Sequence, residues 1–170
     1  QLDIFKALLG GYKKEVKESL PKAAQLADIY SFGRNTRCAP TPAIENEDVA
    51  LLRSKDHIIA ICREYRALKQ RRRYLDYDDI LEIVGNRLNE NQNVRRAVCK
   101  QFKHVLVDEF QDTNPLQWHL LAPFLEYSSL FCVGDDAQSI YGFRGADFKN
   151  VHRFEELVHD ATILRLNENY

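Results

Sequence analysis

A chain of 170 residues can bury one core, or one core and a small subdomain, and its 45% apolar and 29% charged residues are those of an ordinary globular protein. A formal net charge of −1 excludes bulk attraction to a polyanion, so any nucleic-acid site has to be local. No apolar run reaches bilayer length and no signal-peptide pattern opens the chain, so no membrane partner is expected.

The first seventy-odd residues read as helical. Val16, Leu20, Ala24, Ala27 and Tyr30 fall on one face across Pro21, which is expected to begin a helix as its first residue. Gly33, Pro40 and Pro42 mark a loop from about Ser31 to Asn46. Ile58, Ile61, Cys62, Tyr65 and Leu68 then recur at three- and four-residue spacing, predicting a long amphipathic helix that ends in Lys69-Gln70-Arg71-Arg72-Arg73. That basic run either complements the helix dipole, the simpler reading, or contacts phosphates.

From Asp76 onward helix and strand alternate. Asp76 is placed to cap a helix carrying Ile80, Leu81, Ile83, Val84 and Leu88, with Asp78 and Asp79 beside it as a capping and solvated cluster or, as the second reading, a structural one. Strands are predicted at Val105-Leu106-Val107, Leu130-Phe131-Cys132-Val133 and Thr162-Ile163-Leu164-Arg165-Leu166. A helix starting near Thr113-Asn114-Pro115 joins the first two, with Pro123 expected to kink or stop it. Asp147 is expected to cap a second helix carrying Val151, Phe154, Leu157 and Val158. Connections of this length make a parallel sheet flanked by helices, an α/β fold.

Ligands bind at the carboxyl ends of such strands. Two of these strands end in acids, Asp108-Glu109 and Asp135-Asp136, so both pairs are expected at one edge. Adjacent carboxylates can divide phosphoryl-transfer chemistry, one holding Mg²⁺ and the other polarising an attacking water. The widely separated Cys38, Cys62, Cys99 and Cys132 lack C-x-x-C or zinc-finger spacing, and Cys62 and Cys132 lie in apolar runs. This is the pattern of reduced thiols in a cytoplasmic protein. The five histidines have no ligand spacing, and Trp118 reads as a packing residue.

The longer blocks are more specific. Val107-Asp108-Glu109-Phe110-Gln111-Asp112-Thr113-Asn114 is followed, one crossover later, by Gly134-Asp135-Asp136-Ala137-Gln138-Ser139-Ile140-Tyr141-Gly142-Phe143-Arg144-Gly145-Ala146-Asp147. In this order they resemble the second and third motifs of Rep/UvrD-type superfamily 1 DNA helicases. Leu75-Asp76-Tyr77-Asp78-Asp79-Ile80-Leu81 is similar to the acidic-aromatic segment before them, and Leu166-Asn167-Glu168-Asn169-Tyr170 to the opening of the fourth motif.

The resemblance implies a helical insertion subdomain over residues 1–74 and a partial RecA-like P-loop NTPase domain over 75–170. It implies that Asp108 coordinates Mg²⁺, that Glu109 is the catalytic base, and that Gln138 contacts the γ-phosphate and attacking water. It further implies that Tyr170 stacks on the adenine of ATP, and that Tyr141, Phe143 and Arg144 contact single-stranded DNA. Many relatives have Trp where this chain has Phe143. Stacking on aromatic faces suits a motor that walks along any sequence, because every base has a π-face. The implied partners are single-stranded and partly duplex DNA and the remainder of the helicase chain, in DNA repair or replication.

No phosphate-binding loop G-x-x-x-x-G-K-[ST] occurs. With Gln1 at the start, no Met anywhere, and Tyr170 closing an apolar stretch, an interior fragment inactive on its own is expected. Two other readings stay open: a non-catalytic binding module that kept the fold, and a metal-dependent nuclease built on the acids. The nuclease lacks a Lys close after either acidic pair.

Overall fold

The structure is a computed structural model that describes residues 1–38, 49–135 and 154–166. It is mostly helical: α1 (Leu2–Gly10), α2 (Lys14–Glu18), α3 (Ala23–Asn35), α4 (Val49–Arg53), α5 (Lys55–Arg72), α6 (Tyr77–Glu90) and α7 (Gln92–Cys99) precede the first strand. β1 (His104–Val107) is followed by a 3₁₀ turn (Phe110–Asp112), α8 (Pro115–Leu121), a second 3₁₀ turn (Ala122–Glu126), β2 (Ser129–Cys132) and the short α9 (Phe154–Leu157). Among the described residues no helix is long and apolar enough to cross a membrane.

The main apolar core lies between α1, α3, α4 and α5, because their periodic apolar positions converge there. Phe5, Leu26, Ile29, Ile58, Ile61 and Tyr65 are almost wholly buried. Burying each aliphatic or aromatic side chain of this kind contributes about 1.5–3 kcal/mol. Phe5 stacks on Tyr65 with ring centroids 4.3 Å apart, and Tyr30 meets Tyr65 edge-on at 4.8 Å. Cys62 belongs to this core, and burial pushes its thiol up to about 11.

Several local expectations are corrected. Pro21 does not open α3; it is buried ahead of Lys22, whose extended backbone caps a helix beginning at Ala23. The inward face carries Ala23 rather than Ala24. α3 also runs on to Asn35, past the expected loop onset at Ser31, since Tyr30 and Gly33 are buried and Ser31 is tied to Asp78. The rest of that loop, residues 39–48, lies outside the described residues.

The basic run ending α5 is divided. Arg71, Arg72 and Arg73 are exposed, but Lys69 is buried, with Nζ 2.5 Å from Asp76 Oδ2 and 2.6 Å from Asp79 Oδ2. Its ammonium also faces the rings of Tyr65 and Tyr30, 4.7 and 5.0 Å from their centroids. Burial opposes the charge on Lys69, yet its bonds to Asp76 and Asp79 outweigh that and raise its pKa. Burial likewise opposes ionisation of Asp76, but the Lys69 contact and the Asp79 N–H hold its carboxyl below the usual value.

Asp76 and Asp79 form a reciprocal capping box at the start of α6. Arg34 pairs with Asp79 at 3.1 Å and with Glu82. Asp78 accepts from Ser31 Oγ at 2.7 Å, and its pKa is raised chiefly by burial. The acidic cluster therefore caps a helix, as expected, but it is a half-buried lock onto α3 and α5 rather than a solvated patch.

α6 in turn lies on α8. Asn89 Nδ2 donates to the His119 carbonyl at 2.8 Å, and His119 Nε2 stands 2.9 Å from Asn86 Oδ1. α8 starts where expected, with Asn114 and Gln117 forming a capping box around Pro115. It gives way to a 3₁₀ turn at Ala122, just before Pro123, whose ring cannot continue the helix.

β1 and β2 pair in parallel, His104 with Ser129 through Val107 with Cys132, and α8 supplies the crossover. One face, with Val105, Val107, Leu130 and Cys132, is half-buried; the other is not, Leu106 being 74% exposed and Phe131 58%. Among the described residues the sheet is thus covered on one side only. The third expected strand is absent: residues 161–166 form none, and Leu164 and Leu166 are 82% and 96% exposed. An apolar run becomes a strand only where a sheet edge meets it with backbone partners. Of the helix expected before it, α9 is the described part; Asp147 and Val151 lie outside the described residues.

Candidate active site

The carboxyl ends of β1 and β2 meet through hydrogen bonds that continue past the strands. Val133 N donates to Val107 O at 2.8 Å, and Phe110 N donates to Val133 O at 2.9 Å. Asp108 and Glu109 emerge from β1 between these bonds, both exposed. The chain turns there because Glu109 adopts a left-handed conformation, φ 51° and ψ 44°, which costs a residue with a Cβ roughly 1–2 kcal/mol. The Asp108 side chain supports the turn, Oδ1 accepting from Glu109 N at 3.0 Å.

Behind the acids the turn is anchored twice. Phe110 is 3% exposed and meets Trp118 and Phe154 edge-on, at centroid distances of 6.0 and 5.2 Å. Trp118 is therefore a packing residue, as the sequence predicts. Gln111 is 1% exposed, and both ends of its amide are used. Nε2 donates to Glu109 Oε2 at 2.6 Å, and Oε1 accepts from Asp135 N at 3.0 Å.

The approach of β2's end to this amide requires glycine. A Cβ at Gly134 would lie 2.7 Å from Gln111 Oε1 and 3.2 Å from Gln111 N. Burial pushes the neighbouring Cys132 thiol up to about 11, which keeps it protonated near neutral pH.

The structure thus brings Asp108 and Glu109 to the edge where Asp135 begins. Asp136, Gln138, Tyr141, Phe143, Arg144 and Tyr170 lie outside the described residues. Gln111 was not singled out from the sequence. Its signal was there in retrospect: a lone amide one turn beyond two acids, with a glycine ending the next strand.

The donor set suits magnesium. Mg²⁺ takes hard oxygen ligands and is commonly held by one or two carboxylates, waters and substrate phosphates. Exposed Asp108 offers such an oxygen, and among the described residues no larger group of His, Cys, Asp or Glu is gathered to cage a metal.

Known proteins share this arrangement of sequence. The family model described as UvrD/REP helicase N-terminal domain matches residues 1–159. A probable DNA helicase II homolog of Rickettsia conorii is 41% identical over 98 residues, covering 56% of this chain and 15% of that protein. The RecBCD enzyme subunit RecB of Mycolicibacterium smegmatis is 32% identical over 168 residues, 97% of this chain and 15% of its own length. The ATP-dependent DNA helicase Rep of Buchnera aphidicola is 28% identical over 159 residues, 93% of this chain and 24% of its own length. The chain spans between 15% and 24% of the length of these relatives. With a match running from Gln1 through nearly all of the sequence, this chain belongs to the UvrD/REP helicase N-terminal domain family.

Proposed function

We propose that the chain is part of an ATP-driven DNA helicase and that the edge built by Asp108, Glu109 and Gln111 is its hydrolytic end. The observation that carries this is the pair of exposed carboxylates at the end of β1, in a chain whose relatives include ATP-dependent DNA helicases. Residues 75–170 are part of a RecA-like ATPase domain; the parallel pair β1 and β2, joined through α8, supports this. Residues 1–74 are the helical insertion, supported by the core that Phe5 through Tyr65 form among themselves.

In this reading Glu109 accepts a proton from the water that attacks the γ-phosphate of ATP. Asp108 would hold Mg²⁺, and the ion would supply charge neutralisation for the phosphates of ATP. Gln138 senses the γ-phosphate, Tyr170 stacks on adenine, and Tyr141, Phe143 and Arg144 grip single-stranded DNA. The complete protein is cytoplasmic, and its partners are single-stranded and partly duplex DNA. Residues 1–170 alone, without a phosphate-binding loop in their sequence, hydrolyse no ATP above buffer.

The test is DNA-stimulated ATP turnover by the complete protein. Glu109→Gln is expected to lower kcat by roughly 100-fold or more, the scale of general-base catalysis, while ATP binding survives. Normal turnover after combining Asp108→Asn with Glu109→Gln sinks the proposal.

A further inference from the structure

We infer that Gln111 is a positioning residue for Glu109, an amide clamp that fixes this carboxylate and ties its orientation to the end of β2. The inference rests on the hydrolytic reading of this edge. Asp135 N–H can only donate, so it fixes Oε1 of the Gln111 amide on its own side. The NH₂ group is thereby turned toward Glu109, and it reaches Oε2 at 2.6 Å.

Position 111 has little freedom to do anything else. It is 1% exposed, lies inside the 3₁₀ turn, and stands against the bare Cα of Gly134. Glu109 by contrast is exposed and sits on a left-handed residue, so its long side chain would otherwise sample many rotamers. The clamp occupies one carboxylate oxygen and leaves the other, which has no hydrogen bond among the described residues, to take the proton of a water.

The same amide reads the backbone of Asp135, three residues before Gln138. A shift at the end of β2 therefore reaches Glu109 through one side chain. This makes Gln111 a link between the second strand's exit and the base, acting through orientation rather than by touching substrate.

The experiment uses the complete helicase with single-stranded DNA, and compares Gln111→Glu and Gln111→Met with Glu109→Gln. Both Gln111 changes are close in size to the parent; Gln111→Met removes the donor to Glu109 outright, and Gln111→Glu keeps an acceptor for Asp135 N while putting a second carboxyl beside Glu109. Both are expected to lower kcat at least roughly tenfold, within the range that a positioned base contributes. KM for ATP should stay within about twofold, the pattern of an interaction that matters only in the transition state. Binding of a non-hydrolysable ATP analogue gives the same answer for a variant too slow to assay. A kcat for Gln111→Met within twofold of the parent overturns the clamp, as does a fall in kcat matched by loss of analogue binding and melting temperature. If Glu109→Gln itself turns over normally, the hydrolytic reading fails instead, whatever the Gln111 variants do.

Discussion

Gly134 and Gln111 are complementary in the strict sense that one exists in the space the other leaves. A methyl group at 134 would stand 2.7 Å from the Gln111 carbonyl oxygen, 3.2 Å from its backbone nitrogen and 3.3 Å from that of Phe110. The amide tip can swing away, but the backbone contacts belong to the turn itself. Gly134→Ala is therefore expected to destabilise the chain by about 1–3 kcal/mol, as overpacking does. Urea unfolding checks the magnitude. A variant as stable as its parent shows that the two strand ends are not in such close contact.

Phe110 anchors the same turn by burial. Phe110→Ala leaves a cavity against Trp118 and Phe154 and should cost about 3–5 kcal/mol. Phe110→Leu, which keeps much of the volume, should cost far less. Equal losses from the two substitutions in chemical denaturation rule out packing as the anchor.

α6 and α8 meet at Gly85, where an added Cβ would lie 2.8 Å from His119 Cδ2 and 3.6 Å from the His119 carbonyl. Alanine gains about 1 kcal/mol in helix propensity over glycine. Overpacking of about 1–3 kcal/mol opposes that gain, so Gly85→Ala is expected to be net destabilising. Adding His119→Ala removes the obstructing ring. In a double-mutant cycle of thermal unfolding, the two changes together should cost less than the sum of each alone.

The Lys69–Asp76 pair gives the fold a pH dependence of known sign. Asp76 has a lowered folded pKa, so its contribution is present above the ordinary carboxylate value near 3.8 and is lost as pH falls through the folded value. Lys69 has a raised folded pKa, so its contribution is present below its ordinary value of 10.5 and is lost as pH climbs through the folded value. Asp78, raised by burial, acts oppositely to Asp76 in acid and softens the acid limb. Asp76→Asn keeps a capping oxygen but deprives Lys69 of one partner, and should cost about 1.5–3 kcal/mol at pH 7. The gap between variant and parent should close as pH falls through the lowered folded pKa of Asp76. A gap that stays constant across that range means the pairing carries no charge component.

Much of this architecture was legible because short-range rules held. Thr113, Asn114 and Pro115 spell a helix start, Pro123 a helix stop, and the acids after Val107 a strand's exit. What escaped the sequence depends on partners far along the chain. Lys69 reads as one more exposed cation at a helix end, until α6 brings Asp76 and Asp79 around to it. Of the apolar residues that mark α6, Ile80, Ile83 and Val84 are 47%, 46% and 41% exposed, while Leu88 and the unmarked Gly85 are the buried residues. Periodicity identifies a helix more surely than it identifies which side will be covered. At the site, the acids were visible from their place after a strand. Gln111 was not, since the Asp135 N–H that turns its amide arrives 24 residues later.

If Glu109 has the proposed hydrolytic role, its left-handed backbone sets folding and chemistry against each other at a single codon. Glycine or asparagine would relax that dihedral, so drift under selection for foldability alone should carry position 109 toward them. A chain that keeps glutamate there forgoes that relief, and where the site's duty lapses, this is the residue at which decay should show first.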